Sequence, residues 1–147
     1  MFTQRERLTK VEAAQINPVT LAFVGDAVYS LYVRERLATT SKAKVSQMQK
    51  VAAKIVSARG QSAFLEKLFP LLTEEESDVF RRAKNAKKGA KSKSASGLEY
   101  DRSTGLEAVF GFLYLTGEED RIKKLLSCAE ETDFEVEEEI RPFKPIR

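Results

Sequence analysis

Two carboxylates stand in stretches where acids are rare. Asp26 interrupts Leu21-Ala22-Phe23-Val24-Gly25-Asp26-Ala27-Val28-Tyr29-Ser30-Leu31-Tyr32-Val33, the most apolar run of the chain. Glu107 interrupts Ser103-Thr104-Gly105-Leu106-Glu107-Ala108-Val109-Phe110-Gly111-Phe112-Leu113-Tyr114-Leu115. Burying a carboxylate without a partner costs on the order of several kcal/mol, so each acid is expected to be paired or put to use. Each also has a glycine nearby, Gly25 and Gly111, which helices avoid unless something packs close. If the two apolar helices pack together, Asp26 and Glu107 face one another and can share a divalent cation. A hydrolase uses such an ion to bind phosphate oxygens and to lower the pKa of an attacking water. Two structural alternatives stay open. Thr104 and Glu107 have the spacing of a capping box, which makes Glu107 a helix-start residue. Asp26 could instead sit in an internal ion pair with Arg102 or Arg34.

The absences point the same way. The chain has no histidine, which removes the commonest general base and every Ser-His or Cys-His nucleophile. Cys128 is its only cysteine, which excludes intrachain disulfides and thiolate metal clusters. Carboxylates therefore lead for any chemistry, and their natural partner is a hard cation such as Mg²⁺ or Mn²⁺.

The elements that must position these acids read as helices. Asn17-Pro18 caps and starts one that runs to about Leu37, apolar on several faces and so expected to be central and buried. Thr39-Thr40-Ser41 interrupts it, and the segment before Ile16 is weakly patterned and expected to fray. Lys44 to about Ser57 carries Val45, Met48, Val51, Ala52, Ile55 and Val56 on one stripe. Gly60 is expected as a break, with a short helix from Gln61 to Leu68 and Pro70 near its end. Thr73-Glu74-Glu75-Glu76 is a capping box opening a helix to Lys87 or Lys88, with Val79, Phe80 and Ala83 inward and Gly89 as its stop. A polar loop from Ala90 to Leu98 leads to a helix from about Ser103 to Leu115, ended by Gly117. Glu119 to Ala129 forms the last helix. With no internal repeat and no strand pair, the fold class is all-α, a bundle of about six to seven helices.

At 147 residues the chain is expected to be one domain, residues 1–147, with a core over about 17–130 and an acidic tail over 131–147. No apolar run approaches the ~20 residues that span a bilayer, and Met1 to Arg7 has no signal-peptide core, so no membrane partner and a cytoplasmic location are expected. The net charge of +3 hides an asymmetry. Arg81 to Lys93 holds seven cations and no acid, whereas Glu130 to Glu139 holds seven acids and no cation. A solvated surface is one explanation of the basic run. The functional one is a phosphate-contact strip of Arg81, Arg82, Lys84, Asn85, Lys87, Lys88, Lys91 and Lys93. No aromatic residue interleaves it, which favours backbone recognition of a duplex over base stacking.

Leu21-Ala22-Phe23-Val24-Gly25-Asp26-Ala27-Val28 resembles the signature helix of ribonuclease III catalytic domains, and Ser103 to Leu115 resembles their second metal-binding helix. The closer resemblance is to Mini-ribonuclease III proteins, which have that catalytic domain without a double-stranded-RNA-binding domain. It extends from Asn17 to about Leu126 and includes Ile55-Val56-Ser57-Ala58 and Asn85-Ala86-Lys87. The resemblance implies the ribonuclease III endonuclease-domain fold and a homodimer, with Phe23 at the dimer contact. It implies Mg²⁺-dependent cleavage of double-stranded RNA, with Mn²⁺ a possible substitute, to 5′-phosphate and 3′-hydroxyl ends. The implied substrate is a stem of the large-subunit (23S) ribosomal RNA precursor, with a large-subunit ribosomal protein as a possible partner. Asp26 and Glu107 match the acids that bind metal and are required for catalysis. Full-length ribonuclease III sites usually have four acids, but Ala22 and Thr104 stand at the other two positions here, as in Mini-ribonuclease III. Water, Thr104 or RNA phosphates then complete the metal's shell. The basic run also departs from the family's Arg-Gly-Arg-Asn-Ala-Lys, because Lys84 lacks the forked donor of an arginine. The alternatives are a non-catalytic RNA-binding or ribosome-assembly module on the same fold, and a helical protein-interaction domain with Asp26 in an internal salt bridge.

Overall fold

The computed structural model describes residues 6–87 and 97–128. Among them are seven α-helices and one 3-10 turn: α1 (Lys10–Ala14), α2 (Pro18–Thr40), α3 (Val45–Val56), α4 (Ala58–Leu68), the 3-10 turn Phe69–Leu71, α5 (Glu74–Asn85), α6 (Gly97–Leu115) and α7 (Glu119–Leu126). The all-α expectation holds. α5 ends at Asn85, short of the expected Lys87 or Lys88, because the Ala86 backbone is already extended; Gly89 and the acidic tail lie outside the described residues.

Local signals placed several boundaries. Asn17 caps α2, its side chain accepting from the Val19 N–H at 2.8 Å, and Pro18 takes the first helical position. The Thr73–Glu76 capping box opens α5. After α6, Gly117 adopts φ +77°, and the Glu118 and Gly117 N–H groups return to the Leu113 and Tyr114 carbonyls at 2.8 and 3.1 Å. That pattern is a Schellman stop, which needs a residue tolerant of the left-handed region.

Other boundaries moved. From Glu6 on, the described part of the start is not frayed. A capping box between Thr9 and Glu12 forms α1, and the Leu8 N–H reaches the Leu115 carbonyl at 2.9 Å. α2 continues through Thr39 and Thr40, whose hydroxyls bond carbonyls one turn back. Gly60 is no break. It lies inside α4, which Ser57 caps, and a Cβ there would meet the Lys54 carbonyl oxygen at 2.3 Å. α6 begins by Gly97, so Leu98 is helical and Thr104 sits mid-helix, which removes the capping-box explanation of Glu107.

The core forms where α6 is enclosed by α2, α4 and α5. Tyr29 of α2 lies parallel to Phe64 of α4 and Phe110 of α6, with ring centroids 5.9 and 5.7 Å apart. On the far side, Arg121 of α7 makes a forked pair with the buried Glu76, Nε to Oε2 and Nη2 to Oε1, both at 2.8 Å. Burial pushes the Glu76 carboxyl up, but the bonds from Arg121 and Thr73 outweigh it and hold the group below the ordinary carboxylate range.

Candidate active site

α2 and α6 cross with their backbones in contact. A Cβ on Gly25 would stand 1.6 Å from the Glu107 carbonyl oxygen, and one on Gly111 would stand 1.9 Å from the Leu21 carbonyl oxygen. Only residues without a Cβ allow this approach. It sets Asp26, the next residue of α2, against Glu107, within hydrogen-bonding reach of its carboxyl.

The two acids differ in setting. The expectation of a buried Asp26 is corrected, because the side chain is exposed. α2 buries Leu21, Ala22, Gly25, Val28, Tyr29, Val33 and Leu37, and turns Phe23, Asp26 and Ala27 outward. The apolar run reflects composition, whereas helical period decides which side chains are covered. Glu107 is the enclosed member. Every residue from Ser103 to Tyr114 is buried except Glu107, which is partly open to solvent. The alternative partners for Asp26 are engaged elsewhere: Arg102 Nη2 with Glu66 Oε1 at 2.8 Å, and Arg34 Nη1 with the Ser30 carbonyl at 3.5 Å.

Burial is the main force on Glu107, raising its carboxyl well above the ordinary value of 4.5. Hydrogen bonding to Asp26 adds to the rise, the Gln61 amide opposes it, and Asp26's charge adds the smallest push, leaving the group at about 8. Two carboxyls this close, one of them enclosed, resist ionising together unless a cation joins them. Among the described residues no group of three or more acidic, cysteine or histidine side chains gathers. A pair is enough for Mg²⁺, which is often held by one or two carboxylates and completes its shell with water and substrate phosphates. The donor set therefore fits a hard divalent cation.

Thr104 is buried within α6, and its hydroxyl donates to the Tyr100 carbonyl at 2.9 Å. Of the basic strip, Arg81, Asn85 and Lys87 are exposed, and Arg82 and Lys84 are half-buried at the end of α5. Arg81 pairs with Asp78. Lys88, Lys91 and Lys93 lie outside the described residues.

Two features escaped sequence reasoning. Gln61 of α4 donates from Nε2 to Glu107 Oε2 at 3.2 Å, a bond across 46 positions. Nothing local to either residue announces it. The second is another cationic face. From Ser41 to Leu65 there are five cations and no acid, and all five, Lys42, Lys44, Lys50, Lys54 and Arg59, are exposed. The sign imbalance was readable, but it is spread at helical spacing and is less conspicuous than the dense run after Arg81.

Residues 19–118 match the family model of the ribonuclease III domain, and both Asp26 and Glu107 lie within the match. The Mini-ribonuclease 3 of Symbiobacterium thermophilum is 46% identical over 112 residues, covering 76% of this chain and 86% of its own. That of Brevibacillus brevis is 42% identical over 126 residues, covering 86% and 93%. A crystal structure of a protein from Fusobacterium nucleatum superposes with a TM-score of 0.74 at 30% identity, over 82% of this chain and 96% of that one.

Proposed function

Because this chain belongs to the ribonuclease III family, in its Mini-ribonuclease III branch, and is thereby an endoribonuclease, we propose that it hydrolyses double-stranded RNA with a Mg²⁺ ion held by Asp26 and Glu107. The observation that supports this most directly is the facing carboxyl pair at the α2–α6 crossing, with Glu107 driven up to about 8. The finer substrate is a stem of the 23S ribosomal RNA precursor, processed in the cytoplasm, with a large-subunit ribosomal protein as a possible partner. No described helix is long and apolar enough to cross a membrane. The catalytic unit is a single domain over residues 1–147.

The chain's part in the reaction is positioning and charge. With its carboxyl raised to about 8, Glu107 would have to give up a proton to hold the ion, so ion binding would release protons and weaken as pH falls. Asp26, already open to solvent, would be the ligand nearer the RNA. When bound, the cation lowers the pKa of a coordinated water and neutralises charge on the scissile phosphate. Water would form the new bond to phosphorus as the bond to the 3′ oxygen breaks, losing a proton to solvent while the leaving oxygen takes one up, to give 5′-phosphate and 3′-hydroxyl ends. The Thr104 hydroxyl donates to the Tyr100 carbonyl and keeps its lone pairs, so it could still support the site as an acceptor. The deciding experiment is incubation of the protein with a labelled RNA duplex, with and without Mg²⁺. Cleavage only with the ion supports the assignment; binding without turnover at any divalent concentration overturns it in favour of a non-catalytic RNA-binding module.

The duplex backbone would be gripped by the strip Arg81, Arg82, Lys84, Asn85, Lys87, Lys88, Lys91 and Lys93, together with the exposed cations of the α3–α4 segment. Replacing Arg82, Lys84 and Lys87 together by Gln is expected to weaken duplex binding. The slope of log K against log salt should shrink by about 0.9 for each phosphate that is no longer neutralised. An unchanged slope in a filter-binding titration removes α5 from the interface.

A homodimer would cover the outer face of α2. Phe23 is 79% exposed, and Ala27 and Leu31 continue the same stripe at intervals of four. A self-complementary helix face of this kind suits a two-fold interface. Phe23→Asp is expected to raise the dimer dissociation constant by about 100-fold, the scale of losing one buried aromatic anchor. A variant sedimenting at the wild-type mass across dilution removes Phe23 from the contact.

A further inference from the structure

Gln61 is 2% exposed, in the seam where α4 meets α6. Its side-chain amide donates twice, to Glu107 Oε2 at 3.2 Å and to the Val56 carbonyl at 2.9 Å. Those two bonds use both of its hydrogens. Its Oε1 is enclosed and has no hydrogen-bond partner. Turning the amide over would bring Oε1 against two acceptors, so the neighbours dictate its orientation.

For folding alone this is a poor use of a glutamine. An enclosed acceptor without a donor is destabilising. A methionine of nearly the same shape would remove the orphaned Oε1, but it would leave the Val56 carbonyl and Glu107 Oε2 without the donor that Gln61 supplies. What the amide adds is a link between the carbonyl that ends α3 and one oxygen of the enclosed acid.

We propose that Gln61 is a positioning residue for the metal site: it holds Glu107 Oε2, fixes the plane of that carboxylate, and leaves the other oxygen for the cation shared with Asp26. The same amide sets the α3–α4 corner, and with it the cationic face of Lys50, Lys54 and Arg59, in register with the site. Partners that orient a ligand in this way commonly govern affinity for the ion by about 10- to 100-fold. The assignment rests on the metal-dependent reading above.

The test is Gln61→Met, with Gln61→Leu as a second variant of different shape. Metal affinity is read without RNA, by electron paramagnetic resonance titration of Mn²⁺, beside thermal unfolding of the metal-free proteins. Gln61→Met is expected to stay folded and to melt somewhat below the wild-type temperature, because the Val56 carbonyl loses its donor. It is also expected to bind Mn²⁺ about 10- to 100-fold more weakly. The Mg²⁺ concentration for half-maximal cleavage should rise by the same factor, and turnover should recover at saturating Mg²⁺. Either folded variant with wild-type Mn²⁺ affinity overturns the positioning role. A variant whose affinity falls only in proportion to lost folded protein does the same. If the wild-type protein itself binds no Mn²⁺, the metal-site reading fails, and this is seen before any variant is compared.

Discussion

Glu107→Gln is expected to abolish cleavage and, in the same protein, to stabilise the metal-free fold. Loss of cleavage follows from removing a ligand. A cation at a phosphoryl centre contributes several kcal/mol, so a drop of about 10³-fold or more is expected in single-turnover assays. The stabilisation follows from Glu107's pKa of about 8. In the unfolded chain the group ionises near 4.5, so between those values the folded state binds more protons than the unfolded one. Stability must then fall as pH rises through that window and level off above about 8. A glutamine imitates the protonated acid: it can donate towards Asp26 and accept from Gln61, and it carries no charge to bury. Its gain should be near zero at pH 4 and reach roughly a few kcal/mol at pH 8.5. Urea denaturation across this range without divalent ions measures it. A variant that is no more stable than wild type at high pH would show that Glu107 ionises without penalty. One that still cleaves fully would sink the metal-site reading. Asp26→Asn should also abolish cleavage, but it should lower the Glu107 pKa only in part, because burial is the larger cause of the rise.

The second large effect belongs to the glycines of the crossing. Gly25→Ala and Gly111→Ala place a methyl 1.6 and 1.9 Å from carbonyl oxygens of the opposite helix, and in both cases the obstruction is backbone. Backbone cannot rotate away as a side chain can, so α2 and α6 must move apart through the centre of the core. A cost of about 3–5 kcal/mol is expected, a large share of the ~5–15 kcal/mol that holds a domain of this size together. Chemical denaturation followed by circular dichroism reads it directly. Separation of the helices also parts Asp26 from Glu107, so any folded fraction should bind Mn²⁺ weakly. A Gly25→Ala protein with wild-type stability would mean that the crossing is looser than these distances allow.

Much of this was visible in the order of residues, for reasons that differ from place to place. Asn17-Pro18, Thr73 with Glu76, and Gly117 act within one helical turn, and each marked a boundary that the fold keeps. The inward Val79, Phe80 and Ala83 of α5 followed from period alone. The pairing of Asp26 with Glu107 had less local support. Their apolar surroundings and nearby glycines suggested it, and the resemblance of the two helices to ribonuclease III catalytic domains made it the expected arrangement. Gly60 was misjudged because a glycine reads the same whether it ends a helix or lets one pass close to another. Thr104 was ambiguous for a similar reason, since the spacing of a capping box also occurs in the middle of a helix.

By itself the sequence determined the chemistry open to this protein. Without histidine or a second cysteine, it left carboxylates and a hard cation, with basic segments suited to phosphate. Which acid is enclosed and which is open was decided only in three dimensions. Asp26 lies in the more apolar run yet is exposed, whereas Glu107 is walled in on a helix buried around it. Gln61 reaches Glu107 only because α4 packs on α6. Caps, turns and periodicity act over a few bonds and are written locally. Burial, pKa and the meeting of side chains distant in sequence depend on how whole helices pack, and that is settled when Gly25 and Gly111 let α2 and α6 touch.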